Sequence, residues 1–143
     1  MIEKSNAHAD FTGESRIPED ETLDATLGFR FLGATEDTAA GEVPYAHRIS
    51  QRFGVAHGGV YAALAEMIAS EGTIHNVWAN GDAAMGSSNT TNFLRPFSAG
   101  TLHASARARH RGRTTWVWDV DMTDDEGRLC ATSRVTMAVR PRG

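Results

Sequence analysis

The apolar positions of this chain follow two different periods, and the switch between them separates one long helix from the strands around it. From Gly58 to Trp78, the residues Val60, Leu64, Met67, Ile74 and Trp78 recur at the spacing of a helix with one apolar stripe. Alanines at 62, 63, 65 and 69 favour helix and let a neighbouring backbone come close, and Asn80-Gly81 predicts the stop. After that the period falls to two. Leu102, Ala104, Ala106 and Ala108 alternate with polar partners, as do Trp116, Trp118, Val120 and Met122, and then Leu129, Ala131, Ser133, Val135, Met137 and Val139. Asp124 to Gly127 predicts the hairpin turn between the last two runs, and Ala83 to Leu94 a further strand, polar through Ser87–Asn92. Ahead of the long helix, Glu21 to Gly28 reads as a short helix stopped by its glycine. Phe29 to Glu36 and Gly41 to His47 read as two strands around a turn at Asp37–Ala40. Two strands, a long helix and four antiparallel strands make an α+β domain, a curved antiparallel sheet wrapped around one long central helix. Residues 1–20 lack apolar periodicity and read as a flexible N-terminal arm, leaving a single domain over residues 21–143.

A length of 143 residues with 41% hydrophobic and 22% charged side chains suits one soluble globular domain. The longest apolar run, Val60 to Ala65, falls far below the roughly 20 residues of a membrane helix. The N-terminal segment carries acids and no apolar leader core, so the expected setting is cytoplasmic, with no membrane partner. The single cysteine, Cys130, excludes an intrachain disulfide and a multi-cysteine zinc site, and reads as a small packed hydrophobe. The net charge of −4 is unevenly spread. Residues 1–94 carry 13 acidic against 5 basic side chains, whereas residues 95–143 carry 9 basic against 5 acidic, and those nine are all arginines. Arginine's planar fork suits phosphate. A pI near 5.8 without a recognisable binding motif argues against nucleic acid. The arginines therefore stand either as ligands of a small polyanion or as solvated strand edges.

Glu66 is the sharpest chemical feature, an acid inside the most apolar helix of the chain. At about 100° per residue it lies opposite the Val60/Leu64/Met67 stripe, beside Ala62, Ala63, Ser70 and Thr73, a face with room for a ligand. Either it acts on that ligand or it is a solvated glutamate on an outer face. Glu71 is the rival acid, expected near the apolar stripe in a packing, helix-to-helix or arginine contact. His57-Gly58-Gly59 opens the helix, where the first amides lack internal partners and can hold an oxygen as negative charge builds on it. His57 itself reads as a cap or packing residue more readily than as a catalyst. Gly58 and Glu66 are eight residues apart, which a continuous helix turns into about 12 Å. A single carbonyl cannot touch both, so a catalytic pairing of the two demands two chains. No G-x-S-x-G elbow and no H-E-x-x-H spacing occurs, Glu71 and His75 form an ordinary one-turn pair, and neither a metal nor a redox cofactor is expected.

His57-Gly58-Gly59-Val60 opening an alanine-rich helix with Glu66 inside it, followed later by Asn89-Thr90-Thr91-Asn92-Phe93-Leu94-Arg95-Pro96, resembles the hotdog-fold acyl-CoA thioesterases of the phenylacetate-pathway type. The run from Val55 to Ser70, then Thr114-Thr115-Trp116, Trp118-Asp119-Val120, Gly127-Arg128-Leu129-Cys130-Ala131 and the Arg140-Pro141-Arg142 end are similar to one branch, the 4-hydroxybenzoyl-CoA thioesterases of the Arthrobacter type. The resemblance implies a hotdog fold and a homodimer with shared active sites, assembled further into a homotetramer. It implies that the Gly58 amide polarises a thioester carbonyl with Gln51 assisting, that Glu66 of the partner chain attacks or activates water, and that Ser70 positions that water. The phosphates of coenzyme A would fall to Arg95, Arg113, Thr114, Thr115 and Arg142, with His57 and Gly59 at the substrate. Coenzyme A is then part of substrate and product, and no separate cofactor is implied. Three alternatives stay open: a hydroxyacyl dehydratase, whose proline-rich entry segment is missing from Phe53-Gly54-Val55-Ala56-His57; a thioesterase for phenylacetyl, naphthoyl or medium-chain acyl groups; and a non-catalytic acyl-CoA sensor.

Overall fold

The computed structural model describes residues 16–143, so the expected arm lies outside the described residues up to position 15. A 3-10 turn at Glu19–Glu21 leads into helix α1 (Leu23–Leu27), which the Thr22 hydroxyl caps and Gly28 closes in the left-handed region at φ 79°. Strands β1 (Arg30–Ala34) and β2 (Thr38–Pro44) follow, then the long helix α2 (Gly58–Val77), a 3-10 turn at Trp78–Asn80, and strands β3 (Asp82–Phe93), β4 (Thr101–Arg111), β5 (Thr115–Thr123) and β6 (Leu129–Pro141). All six strands join one antiparallel sheet in the order β1-β2-β4-β5-β6-β3. The strand that follows the helix thus crosses to the far side of the sheet and becomes an edge. This is the α+β architecture that the two periods predict.

The sheet curls around α2, and the core forms between its inner face and the helix. Trp118, Leu102, Val120, Met122, Val135 and Met137 are fully buried from the sheet side, and Leu64, Ile68 and Ala69 from the helix. Each large aliphatic side chain removed from water in this way contributes roughly 1.5–3 kcal/mol. Close approach is needed near the helix midpoint. A Cβ on Gly72 would stand 2.9 Å from the Trp118 ring and 3.0 Å from the Ala39 methyl, so only a bare α-carbon fits there. The expected stripe is too narrow. Tyr61, Ala65, Ile68, Ala69, Gly72 and Thr73 are buried beside Val60, Leu64 and Met67, whereas Ile74 is only half-buried. A sheet that wraps a helix covers more than one of its faces. Thr73 in particular leaves the Glu66 face: its hydroxyl accepts from the Trp118 indole N–H (2.9 Å) and donates to the Ala69 carbonyl (2.7 Å).

Two further expectations change. Strand β2 begins at Thr38, three residues before the predicted Gly41, because the turn is built at Thr35–Thr38. There the Thr35 amide donates to the Thr38 carbonyl and the two hydroxyls meet at 2.6 Å, which frees Ala39 to sit in the core under α2. At the start of β6, Met122 faces Ala131 and Thr123 faces Leu129, so Cys130 is the extra residue of a bulge. The bulge turns Cys130 inward, fully buried, and leaves Leu129 38% exposed instead of inward as alternation predicts.

Replacing Thr73 with valine keeps the shape and removes the partner of a buried indole N–H. The expected loss is about 1–3 kcal/mol in unfolding free energy, read from the midpoint of a denaturant titration.

Candidate active site

Helix α2 runs along strand β3, and three contacts tie the two together at successive turns. At the helix start, a Cβ on Gly58 would stand 3.1 Å from the tip of the Phe93 ring. One turn on, the Asn89 side-chain amide donates to the Ala62 carbonyl (2.9 Å) while its own oxygen accepts from Thr91. One turn beyond that, the Glu66 carboxylate lies across the bare α-carbon of Gly86. The helix is therefore laid antiparallel to an edge strand, with Gly58 and Glu66 at the two ends of the contact and Asn89 between them. Glu66 is exposed in a single chain, because β3 has no neighbour on that side. Its place inside an apolar helix does not sequester it within its own chain.

The start of α2 is held by a short, closed loop. Ser50 and Ala56 bridge its ends, the His57 amide donates to Ile49, and the Tyr45 hydroxyl donates to Gly54, whose φ of 83° suits only glycine. His57 is the N-cap, its Nδ1 accepting from the Gly59 amide at 2.9 Å, and its carbonyl accepts from Val60. Capping therefore uses the second and third amides and leaves that of Gly58 without a partner among the described residues. Gln51 sits in the same loop with its side-chain oxygen taken by the Phe53 amide, so its NH2 group is the end left to donate. Phe53 projects beside it, 75% exposed, with the Arg52 guanidinium over its ring.

The other candidates fall in three places. Ser70 stands one turn past Glu66 on α2, its hydroxyl toward the Met137 sulfur. Arg95 follows β3 near the Gly58 end, its backbone amide donating to Cys130 and its guanidinium without a partner among the described residues. Arg113, Thr114 and Thr115 form the β4–β5 turn, where the Thr114 carbonyl accepts from Val139 and from the Arg140 side chain. Arg142 lies near that turn, at the C-terminal end of α2: its guanidinium stacks 3.8 Å over the Trp78 ring and donates to the Trp78 carbonyl. Within one chain Arg95 and the Arg113/Arg142 group thus stand at opposite ends of the sheet. Sequence reasoning passed over Gly86, Asn89 and Phe93 as site residues. Only the contact between α2 and β3 reveals them, and no local spacing encodes it.

The matching family model is the thioesterase superfamily, aligned over residues 53–131, which contain Gly58, Glu66 and all of β3. The chain belongs to the thioesterase superfamily. Its architecture is the hotdog fold of that superfamily. A Pseudomonas aeruginosa thioesterase, solved as a glutamine-to-alanine variant, superposes with a TM-score of 0.81 at 34% identity, covering 85% of this chain and 88% of that one. A Staphylococcus aureus thioesterase has been solved as a glutamate-to-alanine and as a glutamine-to-alanine variant. The first superposes with a TM-score of 0.80 at 27% identity over 84% of this chain and 99% of that one. In sequence, a 1,4-dihydroxy-2-naphthoyl-CoA hydrolase of Listeria monocytogenes is 32% identical over 120 residues, 84% of this chain and 97% of its own. Among the described residues, no helix is long and apolar enough to cross a membrane.

The rival acid lies elsewhere. Glu71 is pushed above the ordinary carboxylate range by burial and then by the charge of Asp24 on α1, which burial also raises. This is a helix-to-helix contact, as one of the sequence readings has it, but it joins two like charges. A carboxyl whose folded pKa is raised favours the protonated fold, so its ionisation at neutral pH works against stability. Replacing Glu71 with glutamine should raise the melting temperature at pH 7, and the gain should disappear below about pH 4, where the native acid is itself protonated.

Proposed function

We propose that this protein hydrolyses aromatic acyl-CoA thioesters, 4-hydroxybenzoyl-CoA first among them, at sites shared between two copies of the chain. The observation that carries the reading is the order Gly58–Phe93, Ala62–Asn89, Glu66–Gly86 along an open sheet edge. A second copy laid antiparallel against β3, with the twofold axis beside Asn89, pairs Gly86 of one chain with Phe93 of the other. Glu66, resting on Gly86, then meets the helix start of the partner beneath that phenylalanine. One operation overcomes the 12 Å separation inside a single helix. It also covers Met85, Phe93 and Leu94, which are 50%, 60% and 57% exposed in one chain, and pairs the edge hydrogen-bonding groups of β3.

In this arrangement the thioester carbonyl oxygen accepts from the Gly58 amide, with the Gln51 NH2 group beside it, at the positive end of the α2 dipole. Glu66 of the partner subunit approaches the carbonyl carbon from the other side. It either takes a proton from the attacking water or adds to the carbon itself to form an anhydride that water then opens. In both cases the C–S bond breaks, the thiolate of coenzyme A leaves and takes up a proton, and the free acid remains. Ser70, one turn from Glu66, positions the water, and His57 and Gly59 shape the helix entry around the acyl group. The two variants of the Staphylococcus aureus relative lie fifteen residues apart, glutamine first, the same spacing as Gln51 and Glu66 here. The twofold also brings Arg95 alongside the partner's start of β3, next to which Arg113, Thr114, Thr115 and Arg142 stand. A coenzyme A tail, with its pyrophosphate and 3′-phosphate, would bridge the chains there, held by Arg95 and Arg113, with Arg142 adding charge from its place on Trp78. Two such dimers joining into a tetramer, in the cytoplasm, complete the reading. The chemistry uses protein groups and water, with coenzyme A entering as part of the substrate.

The Listeria hydrolase supports a second reading, in which the acyl group is a hydroxylated naphthoyl. Free-thiol release measured across 4-hydroxybenzoyl-, phenylacetyl-, 1,4-dihydroxy-2-naphthoyl- and octanoyl-CoA decides between them. The highest kcat/KM is expected for 4-hydroxybenzoyl-CoA; preference for the naphthoyl ester supports the second reading, and no release from any ester removes the enzymatic one.

Glu66→Ala is expected to lower kcat by about 10²–10⁴-fold while coenzyme A still binds. Gly58→Pro deletes the key amide at the first helical position, whose backbone accepts proline once the Phe93 ring gives by a few tenths of an ångström. Mixing these two variants should restore activity, since each mixed dimer regains one intact site of its two. Mixed dimers, verified by mass, that stay inactive would refute shared sites.

A further inference from the structure

Gly86 stands in the middle of β3 with nothing in the backbone to require it. Its φ is not among the positive values that favour glycine, unlike those of Gly28, Gly54 or Gly81. A glycine inside a strand weakens it and commonly marks a place where another group must come close. The three nearest atoms that a Cβ would meet at Gly86 all belong to Glu66: the carboxylate oxygen Oε1, the carboxyl carbon at 3.1 Å and Cγ at 3.5 Å. By contrast, a Cβ on Gly41 or Gly72 would run into the packed core, against Ile68 or Trp118. The register of β3 against β6 also slips between Gly86 and Ser88, so Ser87 is a bulge residue directly after Gly86, its hydroxyl donating to the Thr136 carbonyl. Bulges re-aim the strand at such points. Asn89, on the same strand, holds the preceding turn of helix through the Ala62 carbonyl.

We infer that Gly86 is a positioning residue: its missing side chain forms a saddle across which the Glu66 carboxylate passes over the edge strand toward the second chain. The inference rests on the proposed thioesterase reading, since it gives Glu66 its task. It accounts for a strand glycine that neither turn geometry nor core packing explains. Because the atoms in the way are the far end of a flexible side chain, a methyl group at this position displaces the carboxylate and leaves the fold intact.

The test is a double-mutant cycle on the whole protein. Gly86→Ala should lower kcat by about 100-fold, the cost of moving a reacting group by roughly an ångström. KM, the melting temperature and the mass of the assembly should stay as in the parent. In the Glu66→Ala background the same substitution should change the residual rate less than about twofold, because the group it acts through is gone. A Gly86→Ala protein with kcat within about twofold of the parent overturns the inference, as does an equal loss in both backgrounds or dissociation of the assembly, which would mean the glycine serves the seam. If Glu66→Ala alone leaves kcat near the parent value, the catalytic reading fails first. If Glu66→Ala collapses kcat and Gly86→Ala does not, only the saddle is lost.

Discussion

A helix is a rigid ruler, and the proposed site follows from the distance it fixes. At about 1.5 Å per residue, the eight residues from Gly58 to Glu66 hold an unpartnered amide and an acid about 12 Å apart, and no side-chain rotation closes that distance onto one carbonyl carbon. The sheet order supplies the way around it. Because β3 returns to pair with β6 at the far side of the sheet, the strand lying along the chemical face of α2 has an open edge. Had β3 been an inner strand, a neighbour in the same chain would have closed that edge, and Gly58 and Glu66 would have had no second copy within reach. An open edge is ordinarily a hazard, and here its exposed Met85, Phe93 and Leu94 make it more so. Pairing it with a second copy removes the hazard and completes the proposed site in one operation.

Much of this was legible along the chain, and what was not has a common cause. Where a period persists over several residues, as in Leu102 to Ala106 or Trp116 to Met122, the inward set is the observed one. The start of α2 could be read from His57-Gly58-Gly59, because capping is a local interaction. Period fails where the chain inserts a residue. The bulge at Cys130 exchanges the inward roles of Leu129 and Cys130, and no composition rule announces it. Helical angles fail where the partner layer is curved: Thr73 shares an angular sector with Glu66, yet two turns further on the sheet covers that sector with Trp118. The partners Asn89, Phe93 and Gly86 meet α2 from twenty or more positions away, so only tertiary structure names them.

The arginine excess of the second half illustrates how a true composition signal can be misread. Four of the nine meet acids on neighbouring strands or turns. Arg134 pairs with Asp119 through two hydrogen bonds of 2.8 and 3.1 Å, Arg109 lies 3.4 Å from the same carboxylate, Arg111 reaches Glu36, and Arg128 closes the β5–β6 turn on Asp124 and Glu126. These exposed pairs add little stability each, though the Arg134 hydrogen bond holds Asp119 below the usual carboxylate range. Arg140 and Arg142 are tied to backbone carbonyls near the end of the helix. The guanidinium groups of Arg95, Arg107 and Arg113 have no partner among the described residues, so the capacity for phosphate is narrower and better localised than the count of nine implies.

Electrostatics also bears on why an acid can work at this seam. In one chain Glu66 is exposed and hydrated. Bringing a second copy against β3 strips part of that water, so the carboxylate would need a compensating partner at the seam. The group that approaches it in the proposed dimer is the start of the partner's α2, where His57 has already satisfied the second amide and its carbonyl the third, so one N–H and the positive end of a twenty-residue helix face the carboxylate. Such a terminus favours negative charge. In the proposed dimer the donor that would stabilise a developing oxyanion therefore also complements the charge of the partner's carboxylate while the site is empty, and a substrate carbonyl takes its place between them. The proposed shared site thus does more than bridge a distance: each helix start would complement the charge of the acid that the other chain brings to it.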